Sequence, residues 1–489
     1  MPVENEPNRT MQAPDPARWR ILAAILGAIT MSLIAVSIVN VALPSMQTGL
    51  DATGSDLQWV LSGYALTFGV VLVAAGRAGD VMGRGGIFLI GLVVFTTFSI
   101  VCSLAPSADW LNVARFGQGV GSGLLNPQGV GMIQQYFRGA ERARAFGYLG
   151  AAVGLSVAVG PLLGGLLIAV GGPEIGWRLT FLVNVPVGLA TIVMVLVWFP
   201  RPLIRPLGRA DPATRAARSL DPLGALLLGA AVLAILFPFM EAGTSPAIWV
   251  LIPVGLVLVR LWLWWERRFA RSGRSPMVDL NIFRTRSFSN GTLMIGLYFL
   301  GMTSVWVLVA LFMQQGAGRS AIEAGTVGLP SAILSALASS WAGRRILTYG
   351  RALVVGGLLV ALTGLLLTIG VVLLHDAVGL SVWWLLLSLA FVGAGGGAVV
   401  SPNQTLTLAD VPLQYAGSSG AIMQTGQRIG TSVGIAVITA ASFAVLEVSS
   451  WSVAAAVGFG LIACVLLAAL AVALKDLRDR RGEGASQQN

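Results

Sequence analysis

Long apolar segments separated by short polar loops run through the whole of this 489-residue sequence. A helix needs about 20 apolar residues to cross the ~30 Å hydrocarbon core of a bilayer, because each residue adds about 1.5 Å. The pattern predicts fourteen transmembrane helices, with expected bounds 21–43, 57–75, 87–105, 110–133, 145–170, 179–199, 221–240, 247–265, 290–313, 324–341, 352–374, 381–400, 416–445 and 451–474. These spans leave no room for a soluble domain, so the predicted fold class is all-α and integral to the membrane.

Composition agrees with this pattern, since 56% of the residues are hydrophobic, 11% are charged and the mean hydropathy is +0.81. A soluble domain does not need so large an apolar fraction for its core. The first twenty residues are polar and rich in proline, and no cleavage site follows a short apolar core. Helix 1 is therefore expected to be an uncleaved anchor.

Basic residues fall almost entirely on one side of the predicted topology. When the loops are assigned alternately to two sides, Arg178 and Arg319 are the two loop arginines on the side away from the termini. The positive-inside rule then puts both termini in the cytoplasm. Because the arginines are scattered over separate loops, the net charge of +10 does not predict nucleic-acid binding. Cys102 and Cys464 lie in apolar spans, and no metal, disulfide or other cofactor is predicted.

An internal repeat divides the chain into two similar halves. The stretch "GRAGDVMGR" (76–84) spells Gly-Arg, five residues and Gly-Arg, and "GRRILTYGR" (343–351) repeats this spacing. Each stretch joins the second and third helices of a six-helix set, so helices 7 and 8 form an insert. The expected domains are a tail at 1–20, a bundle at 21–199, loops and inserted helices at 200–289, a bundle at 290–474 and a tail at 475–489. Two like halves in a membrane favour alternating access at their interface.

Several motifs resemble those of one transporter family. They are "GRAGDVMGR" after helix 2, "RFGQG" (115–119) in helix 4 and "GLSVAVGPLLGG" (154–165) in helix 5, with "SIVNVALP" (37–44), "QWVLSGY" (58–64) and "WRLTFLVNVPVG" (177–188). In these motifs the sequence resembles the major facilitator superfamily, and specifically its fourteen-helix drug:proton antiporter branch. The resemblance implies two six-helix bundles plus two inserted helices in the cell membrane of a prokaryote. It also implies a monomer without cofactors that exports amphipathic small molecules.

Charge is concentrated in the loop after helix 2, which contains Gly76, Asp80, Gly83 and Arg84. Asp80 precedes helix 3 and is expected to accept hydrogen bonds from free backbone N–H groups there, while Arg84 can donate to a neighbouring helix end. The resemblance implies that this loop holds the outward-facing state. Val81 stands where the family has a basic residue, so this loop is expected to latch the two bundles together less strongly. A solvated turn is the alternative interpretation, although it does not explain the aspartate.

Helix 4 carries a polar stripe at spacings of three or four residues: Asn112, Arg115, Gln118, Ser122 and Asn126. An arginine in hydrocarbon costs roughly 2.5–3.5 kcal/mol on insertion scales, so Arg115 is expected to face a cavity. The alternative is that its side chain reaches the outer headgroups. The resemblance links Arg115 to proton transfer and to the response to substrate.

Helix 5 has small residues at similar spacings: Gly150, Gly154, Ala158, Pro161 and Gly165. Such a stripe lets another helix approach closely, and Pro161 removes a backbone donor and is expected to kink the helix. The pair Gly160 and Pro161 belongs to the antiporter signature that the resemblance implies. A purely structural packing role is the alternative.

Polar, aromatic and methionine side chains within the spans are candidates for a substrate cavity: Asn40, Gln58, Trp59, Tyr64, Tyr298, Met302, Trp306 and Gln314. Aromatic and methionine walls suit bulky apolar or cationic solutes. Trp59 has an alternative role as an interfacial anchor. Arg428 forms a polar patch with Gln424 and Gln427 in helix 13, where the family also has an arginine.

Acidic residues set this sequence apart from the family it resembles. Drug:proton antiporters of this branch carry an aspartate in helix 1, nine residues before the proline, and this position is Ala35 here. The expected outcome is weak proton coupling through a peripheral acid such as Glu323 or Asp80, or facilitated movement of a lipid or metabolite. Glu323 is alternatively a solvated residue at a helix start.

A membrane-embedded lipid-modifying enzyme is the remaining alternative. Such an enzyme needs an acid/base or nucleophile cluster at one membrane surface, and the sequence supplies no such grouping of His, Asp or Glu. The predicted partners are therefore a small-molecule substrate, membrane lipids and protons.

Overall fold

The computed structural model describes residues 17–204, 220–240 and 245–486, and these residues form helices without strands. The long helices are α1 (Ala17–Leu50), α2 (Gly54–Met82), α3 (Arg84–Ser103), α4 (Ala108–Tyr136), α5 (Gly139–Gly172), α6 (Glu174–Trp198), α7 (Pro222–Met240), α8 (Leu251–Arg271), α9 (Arg286–Leu311), α10 (Leu329–Tyr349), α11 (Arg351–Val378), α12 (Leu385–Thr407), α13 (Ala416–Leu446) and α14 (Trp451–Ser486). Thirteen described segments are apolar enough to cross a bilayer; α4, with its polar stripe, is the exception among the fourteen. The predicted all-α membrane fold is confirmed.

Several helices extend past their predicted ends. The chain leaves helical geometry at Gly172, whose φ of 69° and ψ of −179° separate α5 from α6. The last helix continues to Ser486, so most of the predicted C-terminal tail is helical. Residues 1–16 of the predicted N-terminal tail and 205–219 of the central loop lie outside the described residues. The exact division into domains therefore stays a prediction.

The two halves repeat the same helix pairings. In the first half α1 packs against α5 and α6, and α4 packs against α2 and α3. The second half has the corresponding pairs, α9 against α13 and α14, and α12 against α10 and α11. Each half has its own apolar core, which includes Phe88 and Phe95 in the first and Leu358 and Phe459 in the second. The spacing repeat in the sequence is therefore also a repeat of structure.

Small residues join the two bundles where α5 meets α10. Ser339 donates a hydrogen bond of 3.2 Å to the carbonyl of Gly147. A Cβ atom at Gly343 would lie 2.7 Å from the carbonyl oxygen of Ala143, so the two backbones touch with no room for a side chain. This contact runs from the predicted cytoplasmic ends of α5 and α10 to about their middle. The two bundles also meet along a second seam, where α13 packs against α2 and α4.

The inserted helix α7 covers that second seam. Val232 and Leu236 of α7 pack with Leu66 of α2, and Ile429 of α13 lies against the same cluster. The start of α7 is tied to α8, because the Asp221 carboxylate accepts a hydrogen bond from Trp265 Nε1 at 2.9 Å. The insert therefore bridges both bundles on one flank.

We expect Gly343→Ala to separate α5 from α10, because the added methyl group would overlap backbone atoms of Ala143 and Gly147 in α5. Overpacking of this kind costs about 1–3 kcal/mol. The measurement is the rate at which maleimide labels a cysteine placed at the buried Ser339, in a Cys464→Ala background. Labelling should rise several-fold. The matched control is Gly356→Ala in α11, where a Cβ atom meets nothing within 4 Å; equal labelling in the two variants would contradict the role given to this contact.

Candidate functional site

A single carboxylate connects the two bundles at their predicted cytoplasmic ends. The Asp80 side chain is 1% exposed at the end of α2. Its Oδ1 accepts a hydrogen bond of 2.9 Å from the backbone N–H of Gly417, and its Oδ2 accepts one of 2.9 Å from the N–H of Ser418. The Ser418 hydroxyl donates a further bond of 3.0 Å to Oδ2. Asp80 thus caps the first turn of α13, where unpaired N–H groups and the helix dipole favour an anion.

Arg84 completes this contact. Its Nη2 donates to Asp80 Oδ1 at 2.8 Å and to the carbonyl of Leu413 at 2.6 Å, and its Nη1 donates to Gln135 Oε1 at 2.7 Å. One guanidinium therefore joins α2, α4 and the segment before α13. The prediction that Asp80 binds the start of helix 3 is wrong: its backbone partners belong to α13, because the tertiary fold brings that helix end against α2.

The glycines of this loop are required by geometry. Gly83 has a φ of 112°, which strains a residue with a side chain, and it separates α2 from α3. A Cβ atom at Gly76 would lie 2.7 Å from the carbonyl oxygen of Gly417. Gly83 lets the chain turn sharply from α2 into α3. Gly76 lets α2 come into backbone contact with α13.

Arg115 is buried inside the first bundle. Its side chain is 1% exposed; Nε donates to the carbonyl of Val60 at 2.7 Å and Nη1 donates to Gln118 Oε1 at 2.6 Å. The guanidinium carbon lies 4.3 Å from the centroid of the Tyr64 ring, which suits a cation–π contact. The prediction that Arg115 faces an open cavity is wrong in this conformation, and the alternative that it reaches the headgroups does not hold either.

The polar stripe of α4 continues this network. Gln118 donates to Ser99 Oγ at 2.8 Å, and the Tyr64 hydroxyl donates to Ser122 Oγ at 2.8 Å. Asn126 donates to Ser32 Oγ at 3.2 Å, which extends the network to α1. Six buried polar residues thus satisfy one another across four helices, as buried polar groups must.

In the small-residue face predicted on α5, Gly150 and Gly154 both lie against α10, whereas Gly160, which is outside that face, lies against α1. Gly150 faces Ser339 of α10, whereas a Cβ atom at Gly160 would overlap Ser37 Oγ of α1. A Cβ atom at Gly165 meets nothing within 4 Å. Pro161 is half-buried, and the described break in helical geometry lies at Gly172 instead. Gly160 is therefore a close-packing position against α1.

The predicted cavity residues differ in burial. Tyr64, Tyr298 and Met302 are buried in the cores of their bundles. Trp59 packs between Phe116 of α4 and Phe237 of α7, with centroid distances of 5.9 and 5.8 Å. The remaining four, which are exposed, are Asn40, Gln58, Trp306 and Gln314.

Arg428 lies at the seam between the bundles. Its guanidinium carbon is 4.3 Å from the centroid of the Phe68 ring in α2, and Phe68 in turn lies 6.1 Å from Tyr64. The side chain is half-buried. The rings of Tyr64 and Phe68 therefore stand between Arg115 and Arg428.

Glu323 is engaged in local structure. It forms a capping box with Ser320 in the short helix Ala321–Val327 that precedes α10, and Arg319 donates to its Oε1 at 3.4 Å. At position 35 the methyl side chain of alanine is fully buried in the core of the first bundle.

Sequence reasoning missed two buried acids outside the predicted site. Asp476 of α14 pairs with Arg351 Nε at 2.6 Å, with both side chains 5% exposed. Arg351 corresponds to Arg84 in the repeat, and that correspondence was the signal for a partner. Glu266 near the end of α8 is 1% exposed, and the backbone N–H groups of Met277 and Val278 lie beside its carboxylate.

Known proteins resemble the chain over most of its length. The Major Facilitator Superfamily model matches residues 25–435. The chain is 33% identical over 449 residues to the protein named probable actinorhodin transporter of Streptomyces coelicolor, covering 90% of this chain and 75% of that protein. It is 31% identical over 448 residues to a puromycin resistance protein of Streptomyces alboniger, covering 90% and 84%. It is also 31% identical over 424 residues to a multidrug resistance protein of Mycobacterium tuberculosis, covering 86% and 74%.

Solved structures agree in fold. The proton:xylose symporter XylE superposes with a TM-score of 0.67 at 14% identity, covering 95% of this chain and 96% of that one. A human organic anion transporter superposes with a TM-score of 0.66 at 16% identity, covering 94% and 100%. The expected family, the transporter class and the multi-pass membrane topology are thereby confirmed. The chain belongs to the Major Facilitator Superfamily and is a membrane transporter, not an enzyme.

Proposed function

We propose that this protein is a secondary exporter that moves amphipathic small molecules out of a bacterial cell by alternating access. The observation that carries the proposal is the Asp80 contact, in which a carboxylate of one bundle caps a helix of the other. A contact of this kind stabilises one arrangement of two bundles and must break when they rock apart. The antibiotic and multidrug resistance relatives support a drug-like substrate.

The residues proposed to act in transport form two groups, a latch between the bundles and a set that holds the helices of the first bundle together. Gly76, Asp80, Gly83 and Arg84 form the latch. Arg115 and Gln118 hold α4 to α2 and α3, and Gly160 and Pro161 set the approach of α5 to α1. We place the latch on the cytoplasmic side of the cell membrane, with both termini there, because the arginine-rich loops share that side. The working unit is a monomer in the lipid bilayer.

Weak or absent proton coupling is the second candidate, and a specific observation favours it. Ala35 fills the helix 1 position with a buried methyl group, so no carboxyl group there can gain and lose a proton. Glu323 is committed to its capping box with Ser320, and Asp80 to the latch. A facilitator for a lipid or metabolite that enters from the membrane fits this arrangement.

We expect Asp80→Asn to leave the protein folded and inserted while reducing export at least ~10-fold, because hydrogen bonds to charged groups contribute about 1.5–3 kcal/mol each. Dye export from cells lacking their own pumps measures this, with membrane content checked by immunoblot. Asp56→Asn is the matched control, since Asp56 caps the exposed first turn of the same helix. Full export by a normally expressed Asp80→Asn protein would refute the latch.

Arg115→Ala should be more damaging than Arg115→Lys. Alanine leaves the Val60 carbonyl and Gln118 without their donor, whereas lysine keeps the charge but not the forked geometry. We expect both variants to lose export and alanine also to lower the melting temperature in detergent. Normal export by Arg115→Ala would show that this buried network is dispensable for transport.

Restoring the missing acid tests the coupling. Ala35→Asp should lower thermal stability, because it buries a carboxyl group, and should make export steeper in response to the proton gradient. The measurement is uptake of the exported compound into inverted vesicles with and without an imposed gradient. The proposal of weak coupling fails if the unmodified protein already responds as steeply as Ala35→Asp. We expect Glu323→Gln to leave the response unchanged, because Glu323 is held in its capping box with Ser320.

A further inference from the structure

The two bundles contain an uneven distribution of charge. Every described Asp and Glu of the bundles lies outside the predicted spans. Arg115 and Arg428, by contrast, lie inside the spans of α4 and α13. The centre of the described bundles therefore carries positive charge without a compensating carboxylate.

Arg115 is satisfied by the protein itself. Its donors reach the Val60 carbonyl and Gln118, and its guanidinium lies over the Tyr64 ring. At 1% exposure it has no surface left for a solute. Arg115 is therefore a structural cation in this conformation.

Arg428 differs in each of these respects. Among the described residues it makes no hydrogen bond or ion pair, and its contact is with the face of the Phe68 ring. The residue as a whole is half-buried, and its guanidinium, which carries five N–H donors, is not enclosed by protein acceptors as that of Arg115 is. A cation held in a region of low dielectric without a counter-charge is costly, and an anion from outside the protein can supply that charge.

The position of Arg428 points to a ligand between the bundles. Gly417 and Ala421 of the same helix face meet Gly76 of α2 directly, and Arg428 follows two turns beyond Ala421 at the level of Phe68. On the membrane flank, Ile429 packs against the α7 cluster that covers the seam. Access from the surrounding lipid is thus obstructed at this level, which favours a solute arriving through the interface of the bundles.

The neighbourhood also holds the guanidinium in place. Phe68 is buried and packs against Tyr64, with ring centroids 6.1 Å apart, so the ring under Arg428 is fixed. A guanidinium held against a fixed ring loses little freedom when it binds a charged group.

We propose that Arg428 recognises the negative charge of the transported solute, and that this transporter prefers amphipathic organic anions, such as aromatic carboxylates, over cations. The inference rests on the proposed export function and specifies its substrate class. It replaces the preference for cationic or lipophilic compounds that the aromatic composition suggests.

The test uses purified protein in phosphatidylcholine vesicles and two dyes that share a xanthene ring system, anionic carboxyfluorescein and cationic rhodamine 123. We expect the wild-type protein to move carboxyfluorescein faster. Arg428→Gln should slow carboxyfluorescein at least ~10-fold, the loss expected for a hydrogen bond to a charged group, and should spare or speed rhodamine 123. Arg428→Lys should retain part of the anion transport, because it keeps the charge.

A matched control removes one arginine elsewhere. Arg319→Gln takes a positive charge from a partly exposed ion pair with Glu323 and should leave both dyes unaffected. Monodisperse elution of each variant establishes that it is folded. An equal loss of both dyes in Arg428→Gln would assign Arg428 a structural role and overturn the proposal.

Three further outcomes distinguish failure of the anion preference from failure of the export function. Transport of rhodamine 123 in preference to carboxyfluorescein overturns the anion preference and leaves the export function standing. Transport of neither dye by folded wild-type protein counts against both. If phosphatidylglycerol added to the vesicles slows carboxyfluorescein in the wild type but not the residual transport in Arg428→Gln, the anion at this site is a lipid headgroup, and the small-molecule assignment is wrong.

Discussion

The arrangement of the two bundles depends on a buried carboxylate that has partners on both sides of the seam. Asp80 accepts hydrogen bonds from Arg84 beside it and from the first two N–H groups after Ala416 in the opposite bundle. Both sets of donors would be costly to bury without an acceptor, because helix N-termini leave their N–H groups unpaired. The same bonds are replaceable by water once the bundles separate, so this contact is strong and also reversible.

The remaining contacts between the bundles use close packing in place of charge. The seam between α5 and α10 is formed by glycines and a serine, whose absent or short side chains let the backbones touch. In a bilayer there is little hydrophobic gain from bringing apolar helices together, so close backbone packing and hydrogen bonds provide the association. The inserted helix α7 adds an apolar cover over the seam between α2 and α13. This gives the insert a physical role that its sequence alone does not indicate.

Charge in the centre of the bundles is handled in two ways. Arg115 is enclosed by carbonyl, amide and aromatic partners, whereas Arg428 touches a ring and has no hydrogen-bond partner among the described residues. The two side chains look equivalent in sequence, since both are single arginines within predicted transmembrane spans. Their difference lies in what surrounds them, and it separates a structural cation from a candidate binding group.

The sequence by itself determined the membrane class, the fourteen helices and the twofold repeat, because hydropathy and glycine-arginine spacing are local properties that no tertiary contact alters. It also identified Asp80 and Arg84 as a charged pair in a sharp loop. Only the tertiary structure decided that Asp80 binds α13 and not α3, that Arg115 is sealed under Tyr64, and that Trp59 packs on α7. It likewise paired Asp476 with Arg351, residues more than a hundred positions apart. These partners lie on different helices, and a helical period states which residues share a face but not which neighbour that face meets.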